Sequence, residues 1–175
     1  EDILLKENSV FKNISIQASK SDGYFYKFSD NQLHSNSQYL NFIFSSGLKF
    51  YKQDIKVDLL GKNSECKINS ATYLDKEDHQ EIKTRINHLF PYCKSYQKIK
   101  SVLDSNAKGV FQGKIYVKDI AQKTNAYQLS KALIISENSE FDSKPELEIY
   151  ADDVKCSHGS TSGNLDENSV HYLMT

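Results

Sequence analysis

Cys156 and His158 stand two positions apart in PELEIYADDVKCSHGSTSGNLD, the segment from Pro145 to Asp166, where apolar and polar residues alternate as in a β-strand. Alternate strand residues share a face, so the thiol and the imidazole project from one side, with Cα atoms roughly 6.6 Å apart. Side chains at that spacing close around one soft or borderline metal ion, for which thiolate and imidazole are suitable donors. Tetrahedral metal or iron-sulfur coordination takes about four donors, so the pair makes half a site and the remaining ligands must come from elsewhere. The apolar alternation runs on odd positions through Leu147, Ile149 and Ala151 and resumes on even ones at Val154, Cys156 and His158. A bulge or corner at Asp152-Asp153 accounts for the switch and keeps both donors on the apolar side. Gly159, directly after His158, lets the backbone bend or pack closely on a partner. The blander reading of the same residues is a core cysteine followed by a hydrogen-bonded polar end.

Other candidate chemistry is thinner. Cys66 and Cys93 read as buried small apolar residues, and with three widely spaced cysteines the chain has no disulfide framework. It has no CxxC pair, which excludes an autonomous zinc ribbon or ferredoxin-type cluster. His88, shortly before Pro91-Tyr92-Cys93, is placed to approach Cys93, with a solvated loop histidine as the alternative. A Cys-His nucleophile is chemically possible, but nothing in the sequence orients one. Asp152-Asp153 offers two carboxylates, as polysaccharide-cleaving enzymes use, yet adjacent strand residues face opposite ways and a turn role is simpler. Neither the Gly109–Gly113 nor the Gly159–Gly163 stretch carries the lysine of a phosphate loop, so the chain does not hydrolyse ATP.

The elements that must position these residues are short and β-like. Ile55, Val57 and Leu59 alternate, and further runs follow at Cys66 to Tyr73, Gln80 to Ile86, Ser95 to Leu103, Val110 to Val117, Ala126 to Ile135 and Glu146 to Cys156. Tight hairpin dipeptides are absent between them, Asp22-Gly23 lying upstream. Many strands with few hairpins favour a solenoid of stacked parallel coils over an antiparallel sandwich or barrel. Asn87, Asn106 and Asn125 are expected in the connections, where asparagine suits tight turns. Residues 47–164 read as the β-helix core, and 1–46 as a less determined part supplying its first coils, with Ser29 to Gln38 a loop and Glu1 to Lys12 either helical or extended. Residues 165–175 read as the start of a helix, with Asp166 at its N-cap and Val170, Leu173 and Met174 on one face. A stripe still running at Thr175, and a start without methionine, read as a piece of a longer or processed protein.

One domain is expected from 175 residues. Lys plus Arg number 22 against 23 Asp plus Glu, which gives no reason to expect nucleic acid as a partner. The absence of an apolar run of about 18 residues or of a signal-like start points to no membrane association and a cytoplasmic setting.

HLFPYCKSYQ (His88 to Gln97), VFQGKIYV (Val110 to Val117), AQKTNAYQ (Ala121 to Gln128) and KPELEIYADDVKCSHGSTSGNLDENSVHYL (Lys144 to Leu173) together resemble the SufB/SufD family of the SUF iron-sulfur assembly machinery, on its SufD branch. The last motif is the most specific, since the SufB branch lacks the ADDVKCSHG run. The likeness covers Gly47 to Thr175 and implies a right-handed parallel β-helix, so the expected fold is all-β, a solenoid with a short C-terminal helix start. It implies a non-catalytic scaffold subunit that supports iron acquisition and cluster assembly where it meets SufB, docked against the end of its sheets. Cys156 and His158 match family residues at that interface and become candidate ligands of iron or a nascent, transient cluster shared with SufB, with none expected in the isolated chain. Asp152, Asp153, Lys155, Ser157 and Gly159 complete the expected partner-binding set. The ATPase SufC is expected to need a helical C-terminal region missing here, and a homodimer through the final strand is possible without SufB. An organelle of bacterial origin is the alternative compartment. Ser160, Ala132 and Asn125 depart from residues common in the family, and none is a proposed ligand. A purely structural interaction subunit and, more remotely, a β-helix polysaccharide hydrolase or lyase are the rival readings.

Overall fold

Strands with every second side chain apolar need a second layer to cover that face, and here each strand finds it in the strand that follows. The computed structural model describes residues 1–164 and contains, among them, twelve strands and no helix: β1 (Asp2–Leu5), β2 (Val10–Gln17), β3 (Ser21–Leu33), β4 (Gln38–Ser46), β5 (Leu48–Leu59), β6 (Glu65–Leu74), β7 (His79–His88), β8 (Lys94–Leu103), β9 (Lys108–Val117), β10 (Asn125–Ile134), β11 (Glu140–Ile149) and β12 (Lys155–Asn164). Odd strands form one parallel sheet in the order β1-β3-β5-β7-β9-β11 and even strands the other, β2-β4-β6-β8-β10-β12. The chain therefore winds through six rungs of two strands each, the parallel β-solenoid expected from the scarcity of hairpins. The first two rungs come from residues 1–46, and both sheets run unbroken from there to β11 and β12.

Register is kept from rung to rung. Gln38 lies beside Glu65, Glu65 beside Lys94, Lys94 beside Asn125 and Asn125 beside Lys155, so each side chain belongs to a column with one member per coil. The corner from odd to even strand resets this register. In five of the rungs a single residue there takes the left-handed conformation: Asn8, Asn36, Asn63, Tyr92 and Lys123, with φ between 56° and 64°. The hydroxyls of Ser37, Ser64 and Thr124, each one residue further on, close the turn on the carbonyls of His34, Gly61 and Ala121. Asn36 donates to Asn8 Oδ1 at 3.2 Å and Asn63 to Asn36 Oδ1 at 3.3 Å, tying successive corners together.

Several expectations are corrected by these corners. Asn106 does lie in a connection, but Asn87 lies within β7, donating to Asp58 Oδ1 at 2.6 Å, and Asn125 opens β10. The stretch Ser29 to Gln38 is not a loop: Ser29 to Leu33 ends β3 and Gln38 begins β4. Ser29 and Asn31 look like loop residues but point inward, where Asn31 Nδ2 donates to Ser29 Oγ and to the Lys56 carbonyl at 3.2 and 2.8 Å. Glu1 to Lys12 is extended, supplying β1 and the start of β2. The expected helix with Asp166, Val170, Leu173 and Met174 lies outside the described residues.

Between the sheets, Leu33, Ile43, Leu59, Ile68, Ile86, Ile99, Phe111 and Ile115 are almost wholly buried, each worth about 1.5–3 kcal/mol of transfer free energy. His88 is equally buried, with Nε2 2.9 Å from Ser95 Oγ. Cys93 contacts Ser64 Oγ and the Gly61 carbonyl instead, each at 3.2 Å, so the expected approach of His88 to Cys93 is not made. On the outside, opposite charges pair between rungs and along a strand: Lys56 Nζ lies 3.0 Å from Asp30 of the preceding rung and 3.0 Å from Asp58, two residues on.

Two predictions follow from this packing. Burial lowers the His88 pKa from 6.5 to about 3, so below pH 6.5 the unfolded chain binds a proton that the folded chain refuses. Stability should therefore fall as pH drops through that window, by up to about 1.4 kcal/mol per pH unit from this group. Urea titrations across the window should show a flatter decline for His88→Gln, whatever its absolute stability; equal slopes would exclude the buried imidazole as a source. Gly61 sits where an added Cβ would lie 2.2 Å from the backbone nitrogen of Ser35 in the preceding corner. Gly61→Ala should cost about 1–3 kcal/mol in the same assay, because backbone rather than a flexible side chain must move.

Candidate functional site

The final rung places Cys156 and His158. β12 pairs with β10 so that Cys156 lies beside Ala126 and His158 beside Gln128, and both neighbours point inward and are buried. The thiol and imidazole thus share the inward face, at the last rung of the described solenoid. The change of parity noticed in the sequence is a corner and not a bulge: β11 ends at Ile149, residues 150–154 turn, and β12 starts in the opposite sheet at Lys155. The run from Glu146 to Cys156 is accordingly two strands. Gly159 neither bends nor ends β12; it lies within the strand beside Leu129, on the outer face.

The two donors differ in exposure. Cys156 is half-buried, packed against the apolar cluster of Ile115, Val117, Ala121, Ala126 and Ala151, whereas His158 is exposed. Burial raises the thiol pKa above its ordinary value, partly offset by a backbone hydrogen bond with Ala126. Cys66 and Cys93 are buried more deeply and their thiols are likewise pushed up. A thiolate at position 156 therefore needs a cation beside it to form readily at neutral pH, which is what a coordinated metal supplies.

The rest of the expected partner-binding set divides by direction. Lys155, Ser157 and Gly159 lie on the outer face of the even sheet, while Asp152 and Asp153 are exposed in the corner. Asp153 is engaged with the preceding corner: its N–H donates to Gln122 Oε1 at 2.9 Å, its carbonyl accepts from Lys123 N, and its carboxylate pairs with the Lys123 ammonium. Two exposed carboxylates, one committed to an ion pair, do not make the acid and base of a glycosidase cleft.

Among the described residues no three His, Cys, Asp or Glu side chains gather where they could hold a metal ion. Among the described residues Cys156 and His158 are two donors without a third, half of a tetrahedral set. Polar residues not singled out by the strand patterns stand around them. Ser130 Oγ is 2.7 Å from Ser143 Oγ and donates to Ser160 Oγ at 3.0 Å, and Gln128 lies in the column beneath His158. Their signal was a polar residue on the apolar parity of β10, where Gln128 and Ser130 interrupt Ala126 and Ala132.

Among the described residues two sheet edges are open at this end, since there β11 pairs only with β9 and β12 only with β10. Phe141 and Leu147 of β11 are only partly buried, and Ile149 is exposed. No helix among the described residues is long and apolar enough to cross a membrane.

Comparison with known proteins gives the same picture. The family model described as SUF system FeS cluster assembly, SufBD core domain, matches residues 2–175. Among curated proteins the chain is 37% identical to the iron-sulfur cluster assembly protein SufD of Escherichia coli over 122 residues, 70% of this chain and 29% of that protein. It is 30% identical to an iron-sulfur cluster assembly SufBD family protein of Synechocystis over 98% of this chain and 38% of the relative. It is 27% identical to the chloroplastic protein ABCI7 of Arabidopsis thaliana over 98% and 36%. The chain thus spans between 29% and 38% of the length of these relatives.

Thiol chemistry tests the burial gradient. Iodoacetamide at neutral pH should alkylate Cys156 at least a few-fold more slowly than a free thiol, and Cys66 and Cys93 only after unfolding, as read by mass spectrometry of labelled peptides. A Cys156 faster than a free thiol would mean its thiolate is stabilised already without metal.

Proposed function

This chain belongs to the SufBD family of the SUF iron-sulfur cluster assembly system, and from that premise we propose that it is a SufD-like scaffold subunit whose Cys156 and His158 hold iron or a nascent cluster jointly with SufB. The observation that carries the reading is the placement of both donors on the inward face of the last described rung, beside two sheet edges that no other described strand covers. SufB docks against that end, extends the two sheets and covers Phe141, Leu147 and Ile149, while supplying the ligands that this chain lacks. Mixed sulfur and nitrogen ligation leaves the cargo more exchangeable than four thiolates would, as a scaffold that must release its product requires.

Iron is cargo in this reading, and the chain performs no bond-breaking step itself. ATP hydrolysis belongs to SufC, recruited through parts of the protein outside this chain. The setting is a bacterial cytoplasm or an organelle of bacterial ancestry, in keeping with bacterial and chloroplastic relatives. The packing of Cys156 against the cluster that includes Val117 and Ala126 favours one rival, in which the thiol only fills the docking surface.

Cys156→Ala and His158→Ala in the reconstituted complex decide between them. Each should lower iron incorporation about tenfold or more without releasing SufB, and X-ray absorption of the iron should show sulfur and nitrogen neighbours. Undiminished incorporation in both variants would leave the packing role and remove the ligand role.

A further inference from the structure

The column beneath His158 contains a side chain whose arrangement is explained by neither packing nor the ligand reading. Gln128 is 3% exposed and points inward from β10, one rung below His158 and in register with it. Its Nε2 donates to the Gly113 carbonyl at 3.3 Å. Gly113 makes this possible, since a Cβ there would lie 1.9 Å from that nitrogen. The amide nitrogen is thereby committed, whereas Gln128 Oε1 is buried with no hydrogen-bond partner among the described residues. A buried amide oxygen left unpaired is costly, and such groups ordinarily find a donor.

Side chains one rung apart in a column do reach each other in this fold. Asn13 and Asn41 bond at 3.1 Å, Thr72 and Ser101 at 2.9 Å, and Ser130 and Ser160, on the same two strands as Gln128 and His158, at 3.0 Å. The register brings two donors to Gln128 Oε1, the Nε2 of Gln97 one rung below, itself buried without a partner among the described residues, and the imidazole N–H of His158 one rung above, on an exposed ring. A neutral imidazole carries one N–H and one lone pair, and a bond to the N–H decides which nitrogen keeps the lone pair.

We propose that Gln128 is the positioning residue for His158: its Oε1 accepts the N–H of one ring nitrogen and so holds the other nitrogen's lone pair toward the open end of the solenoid. Gly113 serves the same end by admitting the amide and fixing its nitrogen side. The proposal deepens the reading of His158 as a ligand and rests on it for metal affinity, but not for the tautomer.

Side-chain nitrogen NMR of the histidines in the full-length, metal-free protein tests it. The neutral His158 ring should show a single tautomer with a slowly exchanging N–H. Gln128→Met, similar in volume and without the acceptor, should show both tautomers averaged, and Gln128→Glu, which keeps acceptor oxygens, should retain one. An averaged tautomer in the wild-type protein, or a single one unchanged in Gln128→Met, would overturn the proposal, the first without any variant having to fold. Titration of the complex with SufB, using Co(II) alone, should then show about tenfold weaker binding when it carries Gln128→Met than when it carries the wild type. Equal Co(II) affinity despite a changed tautomer would overturn the positioning role toward the metal. A fixed wild-type tautomer lost in Gln128→Met, with no Co(II) binding to the wild-type complex, would support the hydrogen bond and count against the ligand reading of Cys156 and His158.

Discussion

Rung-to-rung register is the constraint on which this structure depends. Parallel strands bond evenly along their length only if each coil returns to the register of the last, and connections of unequal length must nevertheless deliver the chain to the same column. The corner that follows each of the first five odd strands does this with one left-handed residue, a hydroxyl folded back on a carbonyl in three of the rungs, and backbone bonds to the neighbouring corner. Tyr92 and Lys123 adopt there a conformation that side chains other than Asn and Gly rarely take, and the neighbouring rungs hold them in it.

Columns are the consequence, and they make the interior a place where polarity has to be arranged one rung at a time. An isolated polar side chain between the sheets is costly, but a polar neighbour at the same register one rung away can pair it. Thr72 with Ser101 and Ser130 with Ser160 use this directly, and Thr84 reaches across to Gln97 Oε1 at 2.5 Å. The same rule makes the last rung chemically distinct. Its inward residues have a neighbour below and none of the described residues above, so Cys156 and His158 are inward by geometry yet accessible by position. These two donors are by themselves only half of a tetrahedral set, and the burial that raises the Cys156 pKa disfavours a thiolate until a cation arrives.

Much of the fold was legible because strand periodicity survives in the inner-face residues. The runs from Cys66 to Leu103 correspond to β6, β7 and β8 to within a few residues, and few hairpins with many strands meant stacking. Legibility failed where polar side chains point inward or where turns are made without glycine. Ser29 and Asn31 look like loop residues until their partners in the neighbouring rung are known. The left-handed corners carry Asn at three rungs but Tyr92 and Lys123 at two others, and no local rule selects those.

For the candidate site, sequence alone determined that a thiol and an imidazole share one side of a strand, because alternation is a local property of an extended backbone, and that two donors leave coordination unfinished. It also carried the family likeness, in the run from Asp152 to Gly159. Only the tertiary structure decided that the shared side faces the interior, that the parity switch is a turn between two sheets, and that Gln128 lies under His158 while Lys155 and Ser157 look outward. Those facts depend on which strand lies one coil away, and residues about thirty positions apart acquire that relation only when the coil closes.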